Sequence, residues 1–245
     1  DVAGNGNLAL TKVQGNLAAH ILTGEKTSFS AGLGIVYNQR SVDFSKLTYD
    51  VQWDEFSFNK SVDNQETFSV QKTTFMDLNA GVNFSYYNND NFFAKISVAA
   101  SHLNQPTETF YGQTNKLGLR PILNLDIVYK ANDNIMLSPS VYYTRQKKAS
   151  ELVGGTLLNI NASGGMASLD ANEIILGIFY RNKDAVIGVA GYKWKQNRIT
   201  VNYDHTVSQL SSGNNGVGAM EISLIIQGNY QKGEDRTKAY GCPRF

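Results

Sequence analysis

Apolar and polar residues alternate along most of this chain, and this period of two restricts the possible folds more than any other feature. In residues 77–87 every second position is apolar, and the positions between carry Asp, Asn, Gly or Ser. The apolar set is Leu78, Ala80, Val82, Phe84 and Tyr86. Because successive side chains of a β-strand point to opposite faces, the pattern predicts strands with one apolar face.

The length of the alternating segments separates two kinds of β-protein. Eleven segments are found, and most are 9 to 14 residues long. A strand of a soluble protein usually has about 5–6 residues, whereas a tilted strand that crosses a bilayer needs about 9–11. Length therefore favours a transmembrane antiparallel β-barrel over a soluble sandwich. The segments are 12–22, 27–40, 77–87, 91–103, 121–130, 135–146, 155–163, 173–181, 184–194, 198–207 and 219–230.

Composition agrees with a barrel and argues against several other classes. Mean hydropathy is −0.29, and no apolar run approaches the ~18 residues of a membrane helix. Barrel strands alternate lipid-facing and lumen-facing residues, so their average hydropathy stays low. The net charge of +1 gives no reason to expect a nucleic-acid partner. The single cysteine, Cys242, cannot form an internal disulfide.

The links between segments predict a topology. Links 23–26, 88–90 and 131–134 are short, whereas 41–76, 104–120 and 147–154 are longer, although the rhythm blurs after residue 163. Outer-membrane barrels have short periplasmic turns and longer outer loops. We therefore expect the C-terminal tail, residues 231–245, in the periplasm. Within the link 41–76, weak strand signals occur at 47–53 and 67–71.

Counting strands gives an expectation about the whole barrel. The first and the eleventh segments both descend into the periplasm, and bacterial single-chain barrels normally have an even number of strands. An odd number of N-terminal strands should then precede this sequence, for an even total of about 14. Residues 1–230 are expected to form the N-terminally incomplete barrel.

Seven stretches carry a family resemblance: "YNQRSVDFSKL" (37–47), "NAGVNFSYYNNDNFFAKISVAASHLNQP" (79–106), "LSPSVYY" (137–143), "EIILGIFYRNKDAVIGVAGYKW" (173–194), "ITVNYDHTVSQL" (199–210), "EISLII" (221–226) and "CPRF" (242–245). Together they resemble the PorP/SprF-type outer-membrane proteins of the Bacteroidota type IX secretion and gliding system. The family-motif positions are His102, Leu103, Asn104, Gln105, Pro106, Tyr203, Asp204, Cys242, Pro243, Arg244 and Phe245. The resemblance covers essentially the whole chain. An aromatic is expected near Gly228, where the last strand should end, and Tyr230 is the residue expected to serve as it.

The resemblance implies a role in protein secretion and gliding motility. Some members of this family assist export or surface retention of specific large adhesins through the adhesin's C-terminal domain. They are also linked to the periplasmic ring of the machine, or to peptidoglycan-linked proteins beneath the membrane. The partners implied are therefore outer-membrane lipid, a secreted adhesin domain and periplasmic components, and the resemblance implies no catalysis and no cofactor.

The residues themselves give little support for an enzyme. His20, His102 and His205 lie far apart in sequence, and none has a second metal ligand close by. Asp204 and His205 are adjacent in a strand and should point to opposite faces. The glycine pairs at 154–155 and 164–165 lack the strand–loop–helix context of a phosphate loop. We expect neither a catalytic nor a metal site, and an outer-membrane hydrolase is the weakest alternative.

The polar faces hold the residues expected in the lumen, and the apolar faces hold aromatic residues near strand ends. Mixed charges favour interior salt bridges over a selective pore, although a channel for small or hydrophobic solutes stays the main alternative. The lumen-facing candidates are Asn79, Lys95, Asp126, Arg198 and Asp204. The candidates for an interfacial girdle are Tyr37, Trp53, Tyr86, Tyr129, Tyr143, Tyr180 and Trp194.

Overall fold

The computed structural model describes residues 2–4, 8–54, 56–65, 71–88, 91–110, 114–162 and 172–227. Within them the protein is all-β and antiparallel, as the alternation predicts. No helix in this part of the chain is long and apolar enough to cross a membrane. The expected tail 231–245, Gly164–Gly165 and Tyr230 lie outside the described residues.

Eleven long strands correspond to the eleven predicted segments, although three of them begin four to six residues earlier than predicted. They are β2 (Leu8–Leu22), β3 (Thr27–Ser41), β6 (Lys72–Asn88), β7 (Phe92–Ser101), β8 (Arg120–Lys130), β9 (Ile135–Gln146), β10 (Ala149–Asn161), β11 (Glu173–Arg181), β12 (Ala185–Trp194), β13 (Asn197–Thr206) and β14 (Val217–Ile225). The short strand β1 (Val2–Ala3) pairs with β2. In the described residues these twelve strands form one sheet in chain order from β1 to β14.

A second, two-stranded sheet lies in the link between β3 and β6. Its strands are β4 (Trp53–Asp54) and β5 (Ser57–Phe58). Two 3₁₀ helices, Phe44–Lys46 and Asp50–Gln52, precede it. The weak strand signal at 47–53 was therefore wrong for most of its length, because a 3₁₀ turn forms there. Residues 66–70, which hold most of the other weak signal, lie outside the description.

One predicted long loop is wrong. Residues 147–154 were expected to form a loop, but β10 already begins at Ala149 and pairs with Gln146 across a two-residue turn. Lys147 has a φ of +52° in this turn. Apolar and polar residues alternate only weakly in Ala149–Glu151. The strand extends through these residues because their backbone pairs with β9. The link 208–218 contains a short helix, α1 (Ser211–Asn214).

The chain divides into two compact units. The first unit comprises residues 1–19, 31–81 and 99–121, and the second comprises 20–30, 82–98 and 122–245. In the second unit β8 to β14 form a continuous meander in which each strand pairs with the next. Links 147–148, 182–184 and 207–216 lie at one end of this meander, and 131–134, 162–172 and 195–196 lie at the other.

The fully buried apolar core is small. Among the described residues only Val36, Phe44, Ile175 and Ala185 are buried hydrophobic side chains. Buried polar or charged residues are more numerous: Ser30, Asn38, Gln52, Asp77, Ser85, Glu108, Thr144, Asn159, Asn161, Glu173 and Thr206. In a soluble domain this distribution would be inverted.

Glycines allow close packing between strands of the second unit. Gly155 lies directly opposite Phe179 on β11. A Cβ atom at Gly155 would come within 2.3 Å of the carbonyl oxygen of Ile178 and 2.5 Å of the Phe179 ring. No side chain fits there without movement of the backbone, which is a frequent reason for glycine inside a strand.

Candidate functional site

One face of the second unit is apolar and exposed. Its residues lie side by side across the strands, as in the row Leu123, Tyr143 and Leu152. Ile178 on β11 is 60% exposed, and Leu176 and Val201 belong to the same exposed class. This surface, here called the apolar face, exposes many large apolar side chains side by side, which soluble monomers rarely do. It is suited to contact with lipid hydrocarbon.

The opposite face of the second unit, here called the polar face, contains a buried charge cluster near one end of β11. The side chain of Glu173 is 5% exposed and forms an ion pair with Lys193 of β12. The amide of Asn159 on β10 donates a 2.8 Å hydrogen bond to the other carboxylate oxygen. Both carboxylate oxygens are therefore satisfied by neighbouring strands. Arg198, a predicted lumen residue, lies opposite Lys193 on β13.

A second charge cluster forms at the other end of the polar face. Arg181 binds Asp184 at 2.9 Å and Asp204 at 2.8 Å, and its Nε lies 3.6 Å from Glu151. Three carboxylates thus surround one guanidinium, beside an open polar cleft of about 410 Å³ lined partly by Ser150 and Asn182. Arg181, the centre of the cluster, was missed in the sequence because its role depends on partners from three other segments.

Two predicted lumen residues lie together in the second unit. Lys95 on β7 and Asp126 on β8 form an ion pair at 2.9 Å, with both side chains about one-third exposed. The Asn124 amide donates a 2.5 Å hydrogen bond to the same carboxylate oxygen. Opposite charges on neighbouring strands therefore neutralise each other.

The first unit contains the motif at residues 102–106, and the structure gives each of its polar residues a local role. His102 contacts the buried carboxylate of Asp77 at 2.9 Å. Asn104 binds the β6 backbone twice: its oxygen accepts from the Leu78 amide at 3.1 Å, and its nitrogen donates to the Met76 carbonyl at 2.8 Å. The motif therefore fastens the start of the link 102–119 to β6 after β7 ends.

The backbone changes direction sharply within the motif 102–106. His102 and Gln105 have φ values of +61° and +43°, in the left-handed region. Pro106 is buried, and its carbonyl accepts a 2.9 Å hydrogen bond from the Leu117 amide. Leu103 is 44% exposed. Most of this motif thus stabilises a loop conformation.

Further contacts fix the two long links of the first unit. Arg40, near the end of β3, forms an ion pair at 2.5 Å with the nearly buried Glu108. Asp43 caps the first 3₁₀ helix, and the hydrogen bond from the Ser45 hydroxyl, at 2.6 Å, lowers the pKa of Asp43. The link 42–71 is further closed by a hydrogen bond from the Val42 amide to the Gln71 carbonyl.

Asn79 lies in a different environment from the other lumen candidates. It lines a groove of about 260 Å³ in the first unit, whose floor consists largely of glycine and alanine. A Cβ atom at Gly34 would approach Asn16 to 2.6 Å. Small residues therefore make room beside Asn79, and no charged partner is involved.

Other predicted positions are distributed as follows. Tyr203 is 43% exposed, while Asp204 binds Arg181, so these motif neighbours face opposite ways. His205 is exposed, as expected from its alternation with Asp204. Cys242, Pro243, Arg244 and Phe245 lie outside the described residues.

The aromatic candidates divide into two groups. The five tyrosines are 36–47% exposed and lie on long strands, and Trp194 stacks against Tyr192 with ring centroids 6.4 Å apart. Trp53 differs, because it lies in the β4–β5 hairpin of a long link. The girdle assignment of Trp53 therefore loses its basis.

The described residues contain no group of three His, Cys, Asp or Glu that could hold a metal ion. His20 bonds Ser30 at 2.7 Å, and His102 bonds Asp77. These are separate pairs, so neither assembles the three-part arrangement that activates a nucleophile.

Comparison with known sequences adds an independent finding. Residues 3–226 match the model of a family described as type IX secretion system membrane protein PorP/SprF. The matched range includes all eleven long strands and both charge clusters. No curated protein matches the chain.

Proposed function

The chain belongs to the PorP/SprF family of type IX secretion system membrane proteins, and we propose that it acts as an outer-membrane β-barrel component of the secretion and gliding apparatus. The observation that carries the proposal is the inverted surface: the apolar face is exposed, whereas charges such as Glu173 are buried. Lipid stabilises such an apolar surface, and water does not.

The proposed task of the barrel is to hold proteins. It anchors a secreted adhesin, or assists its export, through the adhesin's C-terminal domain, and it couples to the periplasmic ring or to peptidoglycan-linked proteins. Two long links, 42–71 and 102–119, support this because hydrogen bonds and an ion pair give their described parts defined conformations. Such loops present a preorganised surface to a partner.

The proposed orientation places the two long links outside the cell and residues 231–245 in the periplasm. This tail has four basic and two acidic residues and continues beyond the last strand. The charged side chains of this tail favour a contact with a periplasmic protein. The activity needs neither a cofactor nor a nucleic-acid partner.

A second candidate function is a channel for small or hydrophobic solutes. The open cleft beside Arg181 favours it, since charged lumen residues tune selectivity in open barrels. The ion pairs of Lys95–Asp126 and Glu173–Lys193 disfavour it, because they neutralise charges between adjacent strands. Conductance in planar bilayers distinguishes the two: large stable single channels would support the channel.

The coupling proposal is tested by deletion of residues 231–245 with the amount of inserted barrel monitored. We expect normal insertion, retained adhesin and loss of the periplasmic ring proteins from the purified complex. Purification of the undeleted protein under the same conditions is the reference. If adhesin and ring proteins both remain bound after the deletion, the tail is not a docking element.

A further inference from the structure

The link between β3 and β6 exposes a group of aromatic side chains. Trp53 is 60% exposed, Phe56 91% and Phe58 42%, and Val51 beside them is 47% exposed. Trp53 and Phe58 lie directly opposite each other in the β4–β5 hairpin. These residues, 51, 53, 56 and 58, are called here the aromatic hairpin patch. Clustered exposed aromatics of this kind mark interaction sites.

The patch is held in place by a buried glutamine. Gln52 is 6% exposed, and its amide nitrogen donates to the Val62 carbonyl at 3.1 Å. Its side-chain oxygen accepts from the Tyr49 amide at 3.1 Å, and its backbone carbonyl accepts from Asn59 at 2.8 Å. Gln52 thus ties both sides of the hairpin together. A preorganised patch loses little conformational entropy when a partner binds.

The location of the patch separates it from the proposed lipid-facing surface. Its aromatics belong to the two short strands and the adjoining turn of a link, whereas the exposed tyrosines belong to the long strands. Contact of the long strands with lipid therefore does not account for its exposure.

The charge around the patch decides which partner fits it. Among the described residues of this link, 42–54, 56–65 and 71, four are acidic and two are basic, a net charge of −2. An anionic lipid headgroup surface would repel this segment, since membrane-bound segments are typically basic. A protein surface with lysine or arginine around an apolar centre would be attracted to it.

We propose that the aromatic hairpin patch docks a folded protein whose contact surface is apolar at its centre and basic at its rim. The inference rests on the proposed function in one respect, namely that this partner is the secreted adhesin's C-terminal domain. Phe56 and Trp53 enter apolar pockets of the partner, and the acidic residues of the same link, such as the exposed Asp50, steer its approach. Large aromatic side chains at the centre of an interface commonly supply most of its binding energy.

The test uses the full chain, purified in detergent. The probe is the purified C-terminal domain of the adhesin that co-purifies with the unmodified protein. Phe56→Ser should weaken binding by about tenfold or more through the lost anchor. Asp50→Lys should slow association severalfold, with the difference shrinking at high salt. Because Phe56 is 91% exposed, its replacement removes no packing within the chain.

Two further variants test whether the effects are specific to the patch and to its fixed conformation. Lys60→Ser changes an exposed residue of the same link and should leave binding unchanged or strengthen it. Gln52→Ala should weaken binding although Gln52 is buried, because it releases the hairpin. Heat-modifiable migration on gels confirms that each variant barrel is folded.

The outcomes distinguish the two proposals. If the unmodified protein binds the domain and Phe56→Ser binds equally well, the docking inference is overturned while the proposed function stands. If the unmodified protein does not bind the domain, both are overturned. A separate measurement replaces the adhesin domain with phosphatidylethanolamine vesicles that contain lipopolysaccharide. Loss of vesicle binding by Phe56→Ser, with domain binding intact, would identify a membrane contact and overturn the inference.

Discussion

Buried charge is the main feature at the scale of single residues. Glu173 is almost fully buried, and it is acceptable there only because Lys193 and Asn159 satisfy both of its oxygens. Removing one partner of such a pair leaves an uncompensated charge, which commonly costs about 3–5 kcal/mol. An ion pair between exposed residues contributes about 1 kcal/mol or less.

We predict that Lys193→Met lowers the free energy of unfolding by about 3 kcal/mol, because it leaves the Glu173 carboxylate buried without its cation. Lys46→Met is the matched control, since Lys46 and Asp43 form an ion pair 3.6 Å apart with both side chains about half exposed. The control should change stability by less than about 1 kcal/mol. Urea unfolding of the refolded protein in lipid measures both, and equal effects would contradict the assignment of Glu173 as a buried charge.

A lipid-facing position should tolerate a charged side chain less well than its polar neighbour does. Leu125 belongs to the apolar face, whereas Asn124 bonds Asp126 on the polar face. We predict that Leu125→Arg, like Ile96→Arg, impairs membrane assembly at a cost of about 2–4 kcal/mol near the bilayer midplane. Asn124→Arg should be milder. Membrane-fraction yield and heat-modifiable migration provide the comparison, and equal tolerance of both faces would exclude the barrel.

At the scale of secondary-structure elements, the pairing of β10 with β11 depends on glycine. Gly155 faces Phe179, and Gly177 faces Leu157 on the same pair of strands. A Cβ atom at Gly177 would meet the Leu157 side chain at 2.4 Å. Large and small residues thus alternate across this strand pair, so that the polar face packs closely between its two charge clusters.

We predict that Gly155→Ala destabilises the protein by about 1–3 kcal/mol, the usual range for overpacking. The new methyl group would collide with the Ile178 carbonyl, which belongs to the backbone and cannot rotate away. Gly188→Ala is the control, because a Cβ atom there has no neighbour within 4 Å among the described residues. Thermal unfolding in detergent compares the variants. Equal midpoints would show that the β10–β11 spacing is not as close as described.

At the scale of the whole molecule, topology follows from the order of the strands. Strands that pair with their neighbours in chain order run alternately in opposite directions. Consecutive links therefore alternate between the two ends of the strands. The long links 42–71 and 102–119 are separated by two strands, β6 and β7. If short turns are periplasmic, both long links are extracellular.

We predict that a cysteine introduced at Thr114 reacts with a membrane-impermeant reagent in intact cells, whereas one introduced at Lys232 does not. Replacing Cys242 by serine in both variants removes the native thiol. Permeabilised cells should label at both positions and so control for reactivity. The reverse pattern in intact cells would overturn the proposed orientation.

The sequence alone determined the strands, the family and the two faces. Alternation is a local property, so each of β2, β3 and β11 could be located within a few residues without knowledge of its neighbours. The strand boundaries were less certain where the alternation weakens. The early start of β10 at Ala149 depends on backbone pairing with β9. Backbone pairing leaves no hydrophobic pattern in the sequence.

Only the tertiary structure decided which residues meet. Register brings Glu173 to Lys193, and Arg181 to Glu151 and Asp204, over separations that no motif records. The same holds for Asn104, whose motif was visible but whose two bonds to the β6 backbone were not. Gln52 likewise orders the aromatic hairpin through contacts with Tyr49, Asn59 and Val62. A repeating local pattern specifies an element, whereas a pairwise contact depends on the relative placement of two distant segments.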